Sequence, residues 1–172
     1  FRAPETWLRS MHARPWHAVP ELAKLEFSDF IRAEWQTRVD EQNFGVAQGG
    51  ARWVKELHYD RHPLTGARFE TILGLRRAKR TGFLSLAARF ANCLMLRHED
   101  LTANPEGFVR FVSEHYGLAR YQTFRPVAAR RGRASEGAFQ PAAYAPLETA
   151  DHAFVWAQLD LAQETQLGYA PT

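Results

Sequence analysis

The sequence predicts an α/β fold in which helices dominate. Three observations carry that prediction. First, ANCLMLRHEDL, residues 91–101, is a short apolar run bounded by polar residues, the pattern of a strand buried on both faces. Second, a helix signal follows at once in NPEGFVRFVSEHYGL, so strand, tight turn and helix succeed one another as in an α/β unit. Third, both ends of the chain carry apolar residues at helical spacing. With 172 residues, 45% of them hydrophobic and 13% aromatic, the chain can bury a core as one domain. No internal repeat, low-complexity tract or dividing linker interrupts it.

Taken in order, Pro4 suits a first helical turn, where its missing N–H costs nothing, and Trp7, Leu8 and Met11 share one side. The first helix is therefore expected over residues 4–13. Pro15 and Pro20 break the pattern. FSDFIRAEW then predicts a short second helix with Ser28 as its cap. Residues 43–66 hold Pro63 and four of the eleven glycines, which predicts a loop with one short extended piece. A long helix is expected over residues 69–88, on the spacing of Phe69, Ile72, Leu73, Leu75, Phe83, Leu84 and Leu86, with Gly74 and Gly82 weakening its continuity. In the next helix Asn104 caps, Pro105 takes the first position and Glu106 favours the positive end. Phe108, Phe111, Val112 and Tyr116 form its apolar face, and Gly117 ends it. A last helix, over residues 149–166, carries Val155, Trp156, Leu159 and Ala162 and closes at Gly168.

Composition narrows the chemistry. Net charge is +3, and the cations are almost all arginine, with lysine only at 24, 55 and 79. Arginine presents a rigid fork of donors suited to phosphate, sulfate or carboxylate. Cys93 is the single cysteine, so no internal disulfide forms, and its apolar setting predicts a buried, inert thiol. No run of about 18 apolar residues is present to span a bilayer. A cytoplasmic location is expected, with no span in this portion. His58 and His62 have four-residue spacing but lack the intervening glutamate of a zinc protease motif, so no metal site is expected. Glu99 and Asp100, adjacent carboxylates at a strand end, are expected to fix the following turn rather than act in catalysis. RRAKR, residues 76–80, spans more than one helical turn, which spreads its charge around the cylinder as a solvated surface.

RHEDLTANPEGFVRFVSEHYGL resembles the stretch of sulfotransferases in which a strand ends in an R-Y-E-D-L-like motif and runs through "DP" into a helix ending F-L-G-L. Three more pieces follow family order. RAPETWLRS resembles the segment whose strand-end Arg and helical Ser, eight residues apart, hold the 3′-phosphate of the sulfuryl donor. VAARRGRASEG resembles the basic R-K-G loop that clasps the same phosphate, and LDLAQETQLGY resembles the closing helix that ends in L-G-Y. The resemblance spans nearly the whole chain. It implies a three-layer fold of the P-loop nucleoside triphosphate hydrolase type, of which residues 1–172 would be the C-terminal portion. It also implies that a strand, the loop for the 5′-phosphosulfate, a helix and usually the catalytic base precede Phe1.

By that resemblance, Arg2, Ser10, Arg130, Arg131 and Gly132 bind the 3′-phosphate, with Arg131 in the lysine position. His98 stands near the adenine where the family commonly has Tyr. The donor would be 3′-phosphoadenylyl sulfate (PAPS), the product adenosine 3′,5′-bisphosphate, the acceptor an unidentified hydroxyl or amine, and no metal would be required. Elementary physics agrees in part. A helix amino terminus offers unpaired N–H groups and partial positive charge, to which Arg2, just ahead of Pro4, adds a full charge. Ser10 lies about 9 Å further along the helix axis, so it reaches the same anion only if the phosphate lies alongside the helix. Gly132 lets backbone N–H groups approach an anion while Arg130, Arg131 and Arg133 bind it bidentately. Residues 44–59, rich in glycine and aromatics, are the candidate acceptor wall. The alternative is a non-catalytic anion or nucleic-acid binding module using RRAKR and RRGR, with nucleic acid not expected as a partner of the enzyme. A nucleotide triphosphate kinase would need magnesium and fits these pieces less well.

Overall fold

Helix α1, Pro4–Ala13, begins where the sequence predicts, with Pro4 in its first turn and Pro4 and Leu8 buried. The structure, a computed structural model, describes residues 1–126 and 142–171. These form two compact units, one of residues 3–95 and 146–171, the other of residues 1–2, 96–126 and 142–145.

The larger unit is built on helix α4, Ile72–Leu84, whose Ile72, Leu73 and Leu75 are buried. Around it pack α2, Phe27–Arg32, α5, Leu86–Arg89, α8, Thr149–Gln158, and α9, Leu161–Gln166, while α1 packs on α2 and α8. Phe30, Ile31, Val155 and Leu8 are almost wholly buried. Each such side chain contributes about 1.5–3 kcal/mol of hydrophobic stabilisation. Between α2 and α4 the chain is irregular except for the short α3, Glu41–Phe44, and a 3-10 turn at His58–Asp60. Antiparallel bridges at Ala18 with Thr37, Trp35 with Phe69 and Arg38 with Glu56 tie this region together.

Four boundaries differ from the sequence prediction. Ser28 is not the cap of α2: the helix starts at Phe27 with Glu26 in the cap position, and Ser28 Oγ donates instead to Asp151 Oδ1 at 2.8 Å. Phe69 is not helical but bridges Trp35; α4 begins after Thr71, whose side chain accepts from Gly74 N. The predicted helix also breaks at Ser85, and the last one is two helices, separated where Asp160 caps α9 by accepting from Gln163 N.

In the smaller unit, α6, His98–Ala103, is followed directly by α7, Pro105–Tyr116. Asn104 Oδ1 accepts from Gly107 N at 2.9 Å, and Gly117 closes α7 with φ 62°, a conformation glycine adopts without strain. Asn104→Ala should cost about 1 kcal/mol of local helix stability and speed hydrogen exchange at the Gly107 amide; unchanged exchange would show that the cap contributes nothing. Phe111, expected on the buried face of α7, is 48% exposed and stacks on His115.

The strand expected within residues 91–101 is not part of a ladder among the described residues. A strand needs a partner for its backbone groups; here residues 98–101 turn into α6, and Phe1 bonds to Leu96 within the apolar run. Helices therefore account for nearly all regular structure among the described residues, with β-structure limited to isolated bridges.

Candidate functional site

The Phe1 amino group donates to Leu96 O at 2.6 Å, and Phe1 O accepts from His98 N at 2.6 Å. One residue bonding to positions on either side of a single opposite residue is the slanted pattern of parallel pairing. Arg2 and His98, 96 residues apart in sequence, thus belong to two adjoining segments of the smaller unit. Arg2 is half-buried, and its guanidinium lies 5.9 Å from the centroid of the Tyr144 ring, within cation–π range. Tyr144 follows the RRGR loop in sequence. His98 opens α6 with an exposed side chain, and its carbonyl accepts from Thr102 Oγ1 at 2.9 Å. Asp100 lies in the first turn of α6, its Oδ2 3.2 Å from Arg97 Nε, which fits the structural role expected of it.

Ser10 lies in α1 of the larger unit, half-buried. Arg130, Arg131 and Gly132 lie outside the described residues. Cys93 is half-buried rather than fully buried.

The RRAKR segment departs from its expected role. Arg76 and Arg80 are 5% and 3% exposed, and both close on Glu164 of α9. Arg76 donates through Nε to Glu164 Oε1 at 2.9 Å and through Nη2 to Oε2 at 3.1 Å; Arg80 Nε lies 3.1 Å from Oε1. Arg76 also lies over the Trp7 ring at 4.9 Å. Burial pushes the Glu164 carboxyl up, against the pull of Arg76. Arg76 and Arg80 stand four apart and share one face of α4, and that face is turned inward. A segment with two of its cations in an internal ion pair is no stripe for nucleic-acid phosphates.

Sequence reasoning missed a second cluster. Asp60, 6% exposed, accepts from His17 Nε2 at 3.0 Å, Trp35 Nε1 at 3.3 Å and Lys79 Nζ at 2.7 Å. Burial pushes its carboxyl up, but hydrogen bonds from His17 and Lys79 outweigh this and lower it from 3.8 to about 2. His17 holds φ 51°, a strained value for a side-chain-bearing residue. Asp60 and its three partners come from four separate stretches, and no spacing in the sequence links them. Together they lock the irregular region between α1 and α4.

No protein-family model, curated protein or solved structure matches the chain. Among the described residues no helix is long and apolar enough to cross a membrane.

Proposed function

We propose that the chain is part of a sulfotransferase that moves a sulfuryl group from 3′-phosphoadenylyl sulfate to an acceptor hydroxyl or amine, and that it supplies the 3′-phosphate clamp. The observation that carries the reading is the parallel pairing of Phe1 with Leu96 and His98, because two segments assigned to the same nucleotide by resemblance adjoin. The contact of Arg2 with Tyr144 adds support, since Tyr144 follows the loop assigned to the same phosphate. In the reaction the acceptor oxygen or nitrogen forms a bond to sulfur as the bond from sulfur to the donor phosphate oxygen breaks. A general base takes the acceptor proton, and cations stabilise the departing phosphate charge.

Arg2 acts on the 3′-phosphate, remote from the reacting sulfur, so its energy is binding energy that orients the donor. By resemblance alone, Ser10, Arg130, Arg131 and Gly132 are assigned to the same phosphate. His98 lies against the adenine. Calorimetric titration of the wild type and of Arg2→Ala with adenosine 3′,5′-bisphosphate and with adenosine 5′-phosphate tests this. The wild type should prefer the bisphosphate, and Arg2→Ala should lose roughly 10- to 150-fold on the bisphosphate alone. Equal losses on both nucleotides would remove Arg2 from the clamp.

A further inference from the structure

An open cleft of about 450 Å³ in the larger unit is lined by Arg38, Asp40, Glu41, Gln42, Gln48 and Trp53. Its walls are fixed by backbone bonds. Val39 N donates to Lys55 O at 2.8 Å and Val54 N to Val39 O at 3.0 Å, which ties residues 38–40 to 54–56. Two successive turns, Gly50 N to Ala47 O at 3.0 Å and Trp53 N to Gly50 O at 2.9 Å, present Trp53. Asp40 is held by capping α3, its Oδ1 accepting from Asn43 N at 2.7 Å and its Oδ2 from Asn43 Nδ2 at 2.8 Å.

The lining has three properties that together specify a ligand. Trp53 gives a broad apolar ring with a polar edge. Asp40 and Glu41 accept hydrogen bonds, while Gln42 and Gln48 both donate and accept, which suits hydroxyl groups that do the same. Arg38 adds guanidinium donors, which suit an acceptor oxygen. The lining charge of one cation and two carboxylates does not favour an anion.

We infer that this cleft binds a neutral saccharide, with a sugar ring on Trp53 and its hydroxyl groups on Arg38, the glutamines and the carboxylates. That the saccharide is the sulfuryl acceptor rests on the function proposed above; its binding does not. The test uses the full chain on a printed array of neutral glucose, galactose, mannose and N-acetylglucosamine oligosaccharides beside uronate-bearing and sulfated ones, with titration of the best-bound glycan. The expected result is binding to a neutral glycan, weakened about tenfold or more by Trp53→Ala and by Arg38→Met, with Trp53→Phe retaining most of it. Binding to no glycan, binding unchanged in Trp53→Ala, or a preference for the anionic glycans would overturn the inference. Adenosine 3′,5′-bisphosphate is titrated on the same preparations. Nucleotide binding without glycan binding overturns the cleft assignment alone. Trp53-dependent glycan binding without nucleotide binding upholds the cleft and removes the sulfuryl-transfer reading.

Discussion

Glu164→Gln is expected to lower the unfolding free energy by about 3–5 kcal/mol, the cost of removing one member of a buried ion pair. The substitution keeps the shape of the side chain and removes the charge that Arg76 and Arg80 share. Both guanidinium groups then remain buried beside a neutral amide, which can accept at only one of its two former oxygen positions. Urea unfolding at pH 7 reads the effect as a fall in midpoint. The triple variant Arg76→Met, Arg80→Met, Glu164→Leu should recover to within about 2 kcal/mol of the wild type, because apolar groups of similar volume replace a buried ion pair at little cost. The residual deficit reflects lost guanidinium contacts with Trp7 and Tyr169. A fall of less than about 1 kcal/mol in Glu164→Gln would show that water or rearrangement relieves the charge.

The Asp60 cluster should make stability depend on acid. Its carboxyl titrates at about 2 in the folded chain against an ordinary 3.8. A depressed acid contributes stability that is complete above the unfolded value and is lost as pH falls through the folded one, here between about pH 4 and pH 2. The loss is about 2 kcal/mol, from 1.36 kcal/mol for each pKa unit. Glu56, held at about 2 by hydrogen bonds from Arg68 and Arg61, is lost over the same range, so the wild-type curve alone does not isolate Asp60. The difference between wild type and Asp60→Asn does. At pH 6 the variant should be less stable by about 2–3 kcal/mol, the penalty for a broken buried hydrogen bond to charged groups. That gap should narrow towards pH 2. A constant gap from pH 6 to pH 2 would mean that the carboxylate charge contributes nothing.

Local signals were legible in the sequence where one residue type has a strong backbone preference. Pro4 marked the start of α1, and Asn104, Pro105 and Gly117 marked both ends of α7. Ser28 misled because its hydroxyl has a better acceptor in Asp151, 123 residues away, which local capping preference does not encode. The helix expected over residues 69–88 was too long because its periodicity counts Phe69, whose backbone is engaged by Trp35. Apolar content predicted a strand before His98, but ladder pairing depends on neighbours that a single segment does not encode.

The candidate sites divide the same way. Arg2 and His98 were named from motifs, yet their adjoining segments follow only from the pairing of Phe1 with residues 96–98. RRAKR looked like a surface because composition carries no information about which face of α4 meets Glu164. Asp60 gave no signal, since its partners are Trp35, His17 and Lys79 from distant stretches. The six residues of the cleft fall partly within the loop expected to form an acceptor wall, with Arg38, Asp40, Glu41 and Gln42 preceding it.

Recognition of a 3′-phosphorylated adenine nucleotide is read directly from the ratio of two dissociation constants. Adenosine 3′,5′-bisphosphate and adenosine 5′-phosphate are titrated into the wild type and Arg2→Ala under one salt condition, because phosphate contacts are screened by salt. The wild type should prefer the bisphosphate, and that preference should fall by roughly 10- to 150-fold in Arg2→Ala. A wild type with no preference between the two nucleotides would contradict it.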